Sequence, residues 1–217
     1  MLNKIEELGV EKGYFTYKKI KDIPKSCCNS NIEVIDFDNT KEMLMTELHK
    51  IGVQCDLKSC DCLKMINMNN QIDLIEIKGI KDYAKHYTVG KSKTPKEQVE
   101  KYEIGTKYSD SLYLIHTIAN MYSHEIGVND SKEIKKIFPN LIILTDIDIK
   151  RNSIYKFAMT LSFLSTNSNQ EQNLDEIYEK CVNAFDDELR KCEIKAPKKF
   201  LFCKEELEEY YKSVIAI

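Results

Sequence analysis

Two strongly apolar stretches flank an Asn-Asn pair near the end of the first third of the chain. Residues 60–68 and 71–78 are rich in apolar side chains, and Asn69 and Asn70 separate them. Asn tolerates the positive φ angle that a tight hairpin turn requires. The pattern therefore predicts two antiparallel strands joined by a two-residue turn.

Charged residues interrupt these strands, among them Asp61, Glu76 and Lys78. With the two asparagines as the turn, Asp61 faces Lys78 and Leu63 faces Glu76. Residues that face each other project from the same side of a hairpin, and strand side chains alternate between its two sides. Asp61, Glu76 and Lys78 are therefore predicted to share one face at one end of the hairpin.

The remaining pattern predicts an α/β protein with further strands and helices. Strands are expected at 31–38, 139–146, 154–164 and 199–203, and the second of these contains an apolar run of the kind found in strands buried on both faces. Helices are expected from Pro95 to about Gly127, from Asn173 to about Arg190 and over 204–214. The first of these helical regions is predicted to break near Gly105 or Ser109-Asp110, and a polar loop is predicted at 165–173.

A further helix is predicted upstream of the hairpin. Asn39 has the properties of an N-cap, with Glu42 three residues later, as in a capping box. An apolar stripe follows at helical spacing: Met43, Leu44, Leu48 and Ile51. Glu47 lies within this stripe, where an ionised carboxylate costs free energy unless a cation or hydrogen bonds compensate. The alternative is a glutamate at the edge of the stripe that reaches water.

The three hairpin charges suit metal-assisted hydrolysis of phosphodiesters. Carboxylates on neighbouring strands, about 5–8 Å apart at the backbone, can reach a common hard cation, which prefers oxygen ligands. Such a cation lowers the pKa of a bound water and neutralises charge on the phosphate. Lys78, two residues after Glu76, can stabilise the charged transition state. The alternative is a cross-strand salt bridge, worth about 0.2–1 kcal/mol if it is exposed.

The same residues carry a resemblance to a known family. Asp61, followed by Glu76-Ile77-Lys78 at the end of an apolar strand, resembles the signature of the PD-(D/E)XK nuclease superfamily. The likeness spans about residues 40–145, and Cys60 stands where the signature has proline. It implies a restriction-endonuclease-like core of helix, three-stranded meander, helix and strand, with a mixed sheet between helices. It also implies that Asp61 and Glu76 bind Mg²⁺, with Mn²⁺ as the alternative ion, and that Lys78 is catalytic.

Two further features follow the order of that family along the chain. Thr94, Pro95 and Glu97 form a strong helix start. Gln98 and Tyr102 then lie one turn apart and resemble the QxxxY motif of the RecB-like branch, in which both side chains face the active site and substrate. Upstream, many members place a glutamate on the first helix beside the metal, a role that Glu47 matches.

Length and composition predict one globular domain, residues 1–217. The nuclease core is expected over about 40–150, and an α/β extension over about 151–217. Hydrophobic residues make up 42% of the chain and charged residues 31%, as in ordinary soluble proteins. No apolar run reaches the length of a membrane span, and the N-terminus lacks the apolar core of a secretory signal. A cytoplasmic location is therefore expected, with free thiols among the eight cysteines.

A zinc site is the alternative use of the cysteines. Cys55, Cys60 and Cys62, with His49, offer suitable ligand types but lack the CxxC spacing. Cys60 and Cys62 are also predicted to point to the face opposite Asp61. Buried thiols are the preferred interpretation.

Attraction to nucleic acid has to be local, because the net charge is −3. The segment 78–107 contains eight lysines, at 78, 81, 85, 91, 93, 96, 101 and 107, against four acids. Lys81 and Lys85 are the candidate substrate contacts, and the interleaved Tyr83, Tyr87 and Tyr102 offer stacking surfaces for unpaired bases. The alternative is a solvated loop and helix face.

The sequence therefore predicts a magnesium-dependent nuclease acting on nucleic acid, with DNA favoured over RNA, and no membrane partner. A homodimer or a complex with a partner protein is compatible with this prediction. One alternative is a nuclease-fold protein that binds nucleic acid or a protein partner without cutting. Another is an unrelated α/β fold in which the charged hairpin is structural.

Overall fold

A six-stranded mixed sheet lies at the centre of the computed structural model, which describes residues 1–88, 90–147, 169–191, 198–203 and 205–215. Its strands are β1 (Tyr17–Lys19), β2 (Glu33–Asp36), β3 (Cys62–Ile66), β4 (Gln71–Lys78), β5 (Asn140–Thr145) and β6 (Lys198–Phe202). They lie side by side in chain order. Neighbours are antiparallel from β1 to β4, and β5 and β6 continue parallel to β4.

Helices cover both faces of this sheet. They are α1 (Leu2–Glu11), α2 (Phe37–Lys50), α3 (Lys81–Thr88), α4 (Pro95–Glu100), α5 (Ile104–Met121), α6 (Ser123–Ile126), α7 (Val128–Ile134), α8 (Asn169–Lys191) and α9 (Glu205–Ile215). Apolar residues of α1, α2, α5 and α8 form one core with Leu63 and Leu74. Leu207 and Tyr211 of α9 form a second core with Ile75 on the opposite face. The predicted α/β class is confirmed.

Strand β5 is buried on both faces, as its apolar sequence predicted. Leu141 and Ile143 belong to the first core, whereas Ile142 and Leu144 belong to the second. A parallel strand between two helical layers has no polar side to present to water, which explains its unbroken apolar run.

The hairpin between β3 and β4 has a different register from the predicted one. Ile66 pairs with Gln71 and Leu63 with Leu74, so the turn contains four residues and the predicted opposition of Leu63 to Glu76 is wrong. A two-residue turn of the common type needs positive φ at both central positions. Only Asn70 has it (φ 48°), while the three residues before it form a 3-10 turn.

The corrected register preserves the faces of the strands. It differs from the prediction by two residues, and side chains alternate with a period of two, so each one stays on its predicted side. Continued by one residue, the pairing sets Asp61 opposite Glu76 and not opposite Lys78. The three charges still project to the same side.

Helix α2 begins earlier than predicted. Asp36, and not Asn39, is the N-cap, and its carboxylate accepts a hydrogen bond from the Asn39 amide at 3.2 Å. The buried face consists of Phe37, Thr40, Leu44 and Leu48. Met43 and Ile51, both predicted for the apolar stripe, are exposed, because Met43 lies beside this buried face and Ile51 is the C-cap that follows the last helical residue.

The elements after the hairpin follow the prediction with shifted boundaries. The capping box at Thr94 is confirmed, but α4 ends at Glu100. The chain breaks at Glu103, which has a left-handed conformation (φ 52°), and α5 then runs straight through Gly105. Helix α8 begins at Asn169, inside the predicted loop 165–173. The predicted strand at 154–164 and the first part of that loop lie outside the described residues.

The predicted core order also changes at one point. Only β3 and β4 lie between α2 and α3, because β2, the third strand of the antiparallel meander, precedes α2.

Within the described ranges, none of the helices combines the length and apolar character needed to cross a bilayer.

Gly9 of α1 packs closely against the side chain of Phe15, which leads to a testable prediction. A Cβ atom added there would lie 2.1–2.6 Å from ring atoms of buried Phe15. We expect Gly9→Ala to destabilise the protein by about 1–3 kcal/mol, although alanine raises helix propensity by about 1 kcal/mol. Urea unfolding measures the change. Glu7→Ala, at an exposed site of the same helix, is the control, and an unchanged or raised stability of Gly9→Ala would contradict this packing.

Candidate functional site

Four charged side chains meet near the end of β4. Glu76 and Lys78 belong to β4, Asp61 directly precedes β3, and Lys107 reaches in from α5. We call these four residues the charged cluster. It lies on the side of the sheet that α5 covers, so its members are shielded from water to different degrees.

Glu76 is the centre of the charged cluster. Its side chain is fully buried, and its Oε1 atom accepts a hydrogen bond from Lys107 Nζ at 2.6 Å and forms an ion pair with Lys78 Nζ at 2.5 Å. Its Oε2 atom is buried as well and has no hydrogen-bond partner among the described residues. A buried carboxylate oxygen without a donor is costly, so this atom marks a place where a further partner would be favourable.

Asp61 is fixed by the backbone of β4. Its Oδ2 atom accepts a hydrogen bond from the Ile77 amide at 2.6 Å and lies 3.7 Å from Lys78 Nζ. Its Oδ1 atom lies 3.9 Å from Lys107 Nζ. This hydrogen bond from the Ile77 amide extends the pairing of β3 and β4 beyond their last paired residues. It holds the carboxylates of Asp61 and Glu76 on the same side of the hairpin end.

The environment of the charged cluster shifts the pKa values of its members. Burial, followed by the charge of Asp61, raises the pKa of Glu76 against the opposing effect of Lys78 and Lys107. Burial alone would lower the pKa of Lys107, but the attraction of Glu76 and Asp61 outweighs it, and that pKa is raised. Lys107 is therefore charged at neutral pH.

Tyr102 of the predicted QxxxY motif lies beside Lys78, and Gln98 of the same motif is hydrogen-bonded to Tyr102. Gln98 Nε2 donates a hydrogen bond to the Tyr102 hydroxyl at 3.0 Å, and Lys78 Nζ lies 5.1 Å from the centroid of the Tyr102 ring. The ring also stacks on Phe185 of α8, with centroids 5.9 Å apart. Cation–π contact and stacking thus fix Tyr102 against the lysine. The structure brings together five predicted site residues: Asp61, Glu76, Lys78, Gln98 and Tyr102.

Glu47 lies in a different network. It accepts a hydrogen bond from the Tyr14 hydroxyl, which also contacts the Tyr122 hydroxyl at 3.0 Å. In the part of the chain that the structure describes, no three His, Cys, Asp or Glu side chains come together as a metal-binding group. Glu47 therefore does not join Asp61 and Glu76, and the Tyr14 hydroxyl supplies the hydrogen bond that compensates its partly buried carboxylate.

Cys60 lies on the same side as the charged cluster, contrary to the prediction. It belongs to the first core with Leu63, whereas Cys62 belongs to the second core on the opposite face. Strand alternation does not apply to Cys60 because it precedes β3. Burial, and then the charge of Glu76, raises the pKa of its thiol, which stays neutral.

The basic segment 78–107 divides into two groups. Lys78 and Lys107 belong to the charged cluster, and the other six lysines, including Lys81 and Lys85 on α3, are exposed. Tyr83 is buried, and its hydroxyl donates to the Lys93 carbonyl at 2.8 Å. Its ring therefore packs in the core, where it offers no surface for a base to stack on.

Lys107 and Asp146 are the contributors that sequence reasoning did not single out. In the sequence Lys107 is only one of the eight lysines of the basic segment 78–107. A signal existed, because Lys107 lies three residues after Ile104, four before Ser111 and seven before Leu114, all on the buried face of α5. Asp146 follows β5 and accepts hydrogen bonds from the amides of Ile80 (2.7 Å) and Lys81 (3.2 Å). It fixes the start of α3 next to Lys78.

Comparisons of the chain with models of known protein families, with curated proteins and with solved structures found no match. The chemistry of the charged cluster and its surroundings is therefore the basis for assigning a function.

The raised pKa of Glu76 has a consequence for stability. A carboxyl whose folded pKa lies above its unfolded value of 4.5 contributes less to stability as the pH rises from that value through the folded pKa. We expect the stability of the wild type relative to Glu76→Gln to decrease with pH over this window. Urea unfolding at pH values from about 4 to about 8 tests this. Glu42→Gln, an exposed acid of α2, is the control, and a relative stability that increases with pH would contradict the expectation.

Proposed function

We propose that this protein is a metal-dependent nuclease of the PD-(D/E)XK type that hydrolyses phosphodiester bonds, with DNA as the favoured substrate. The observation that carries the proposal is the convergence of Asp61, Glu76 and Lys78 at the end of one hairpin. These are the residues that the resemblance assigns to metal binding and catalysis. Asp61 comes from one strand end of the hairpin, and Glu76 and Lys78 come from the other. Tyr102, from the second motif, adjoins the same lysine, and Gln98 donates a hydrogen bond to the Tyr102 hydroxyl.

The donor atoms of the charged cluster fit Mg²⁺ or Mn²⁺. Three oxygens surround Lys78 Nζ: Glu76 Oε1 at 2.5 Å, the Ile77 carbonyl at 3.1 Å and Asp61 Oδ2 at 3.7 Å. Carboxylate and carbonyl oxygens are the ligands that hard cations prefer, and Mg²⁺ commonly takes one or two carboxylates and completes its shell with water and phosphate. Asp61 and Glu76 would hold the ion, and the unpartnered Oε2 of Glu76 is available to it.

Lys78 has the main chemical role among the protein's own groups. A bound ion would activate water and offset the negative charge of the phosphate. The ammonium group of Lys78 supplies a fixed donor for the charge that develops on the phosphate oxygens, and such preorganised donors account for much of catalysis. Tyr102 restrains the lysine by ring contact, and Gln98 orients the Tyr102 hydroxyl.

The fold and the exposed lysines support the same proposal. The meander β2-β3-β4 and the parallel strand β5 beside it provide the strands that the resemblance implies, although α2 lies between β2 and β3 in the chain and not before the meander. Lys81 and Lys85 are exposed on α3, which begins three residues after Lys78. Their position suits contacts to the phosphate backbone on either side of the cleaved bond.

A second candidate function is favoured by the charge balance of the cluster. Two acids face two lysines, so the four side chains compensate one another without a metal. A nuclease-fold protein that binds nucleic acid or a protein partner without cutting would keep such a cluster for structural reasons. Fold alone does not decide between the two functions.

Cleavage assays with a matched pair of lysine variants test the catalytic proposal. We expect Lys78→Ala to lower Mg²⁺- or Mn²⁺-dependent cleavage at least about 100-fold, the usual effect of losing one transition-state donor. Lys64→Ala is the control, since Lys64 lies on the same hairpin but donates to the Glu33 carbonyl at 2.8 Å and contacts the Tyr211 ring on the other face. Supercoiled plasmid, linear duplex, single-stranded DNA and RNA are the substrates. Cleavage by Lys78→Ala at the wild-type rate would remove the proposed mechanism.

Metal binding separates the two candidate functions directly. We expect calorimetry to detect Mn²⁺ binding to the wild type, and Asp61→Asn to weaken it at least about tenfold, which is the lower range for disturbing a metal ligand or its support. Asp82→Asn, an exposed acid on α3, controls for the loss of one negative charge. A wild-type protein that binds neither Mn²⁺ nor Mg²⁺ would favour the non-cutting function.

A further inference from the structure

Lys107 occupies an unusual position for a lysine. It lies on the buried face of α5, between Ile104 and Ser111, yet its side chain is 21% exposed. An ammonium group on such a face needs a partner, and Glu76 is that partner, at 2.6 Å from Lys107 Nζ. The flexible four-carbon stem lets the group reach either Glu76 or the solvent.

The two lysines that share Glu76 Oε1 are held differently. Lys78 also donates to the Ile77 carbonyl, lies 3.7 Å from Asp61 and contacts the Tyr102 ring. Lys107 Nζ has two neighbours of opposite charge within the described ranges, Glu76 and, at 3.9 Å, Asp61. Lys107 is also the more exposed of the two lysines, 21% against 14%. Lys107 is therefore the lysine that can leave the charged cluster at lower cost.

A divalent ion and Lys107 would compete for the same carboxylate oxygens, those of Glu76 and Asp61. With both lysines in place the cluster is neutral, so the arrival of two further positive charges meets repulsion from two ammonium groups. If one ammonium group withdraws, the two carboxylates carry an excess of one negative charge and attract the ion. Metal binding and the contact between Lys107 and Glu76 should thus exclude each other.

We propose that Lys107 is a resident counter-cation that occupies Glu76 in the metal-free protein and is displaced when a divalent ion binds. This role rests on the metal-dependent function proposed above. It makes Lys107 a competitor of the metal, in contrast to Asp61 and Glu76, which hold it. The competition weakens metal affinity and sets the ion concentration at which the site becomes loaded.

The test is Mn²⁺ affinity, measured by calorimetry on the full chain without any cleavage assay. Lys107→Met keeps the aliphatic stem and removes the competing charge, and we expect it to bind Mn²⁺ about tenfold more tightly than the wild type, equivalent to about 1.4 kcal/mol. Lys58→Met is the matched control. Lys58 pairs with Glu103 just before α5 and does not contact Glu76. Lys58→Met therefore removes one positive charge, as Lys107→Met does, without changing the surroundings of Glu76. We expect it to leave Mn²⁺ affinity near the wild-type value.

A second measurement keeps the test valid if Lys107→Met folds poorly. Lys107→Gln retains a hydrogen-bond donor without the charge, and the same excess of Mn²⁺ should raise its melting temperature more than that of the wild type, because stabilisation by a ligand increases with the logarithm of its concentration relative to Kd. If the wild type and Lys58→Met bind Mn²⁺ and neither Lys107 variant binds it more tightly, the displacement role fails alone. If no variant binds Mn²⁺, the metal-dependent function fails with it.

Discussion

The fully buried carboxylate of Glu76 is the constraint on which the arrangement of the site depends. An uncompensated charge in the interior costs at least several kcal/mol, so every element around Glu76 has to bring a compensating group or exclude water. Strand β4 supplies Lys78, and α5 supplies Lys107. Asp61 adds a second negative charge, and its hydrogen bond to the Ile77 amide keeps it there. Helix packing and charge compensation are therefore coupled at this end of the sheet.

Strand alternation made the central part of the site predictable from sequence. The predicted hairpin register was wrong by two residues, because the turn takes up Asn67 and Met68 as well as the asparagine pair. The side of each residue depends only on whether its number is odd or even relative to its strand, so an even error leaves the faces intact. Glu76 and Lys78 keep their predicted side for this reason. Cys60 does not, because it lies outside the strand.

The parts that were not predicted depend on contacts between distant segments. Lys107 reaches Glu76 because α5 packs over β4, and local sequence patterns do not say which helix docks on which strand. Glu47 has the local signature of a ligand, a carboxylate on an apolar stripe, but Tyr14 lies close enough in the fold to satisfy it. Lys107 and Glu47 have the same local signal, a charged residue on the apolar face of a helix. The partner in space, and not the pattern, determines the role.

The charge of the cluster links its stability to its proposed chemistry. Two acids and two lysines are neutral together, which is why the site can be buried at all without a bound ion. The same neutrality opposes a divalent cation unless one ammonium group moves. Lys78 has the backbone carbonyl and the ring of Tyr102 to hold it, whereas Lys107 comes from a separate helix on a flexible stem. A fixed lysine beside a displaceable one would let a single buried site be stable when empty and still be able to accept a metal ion.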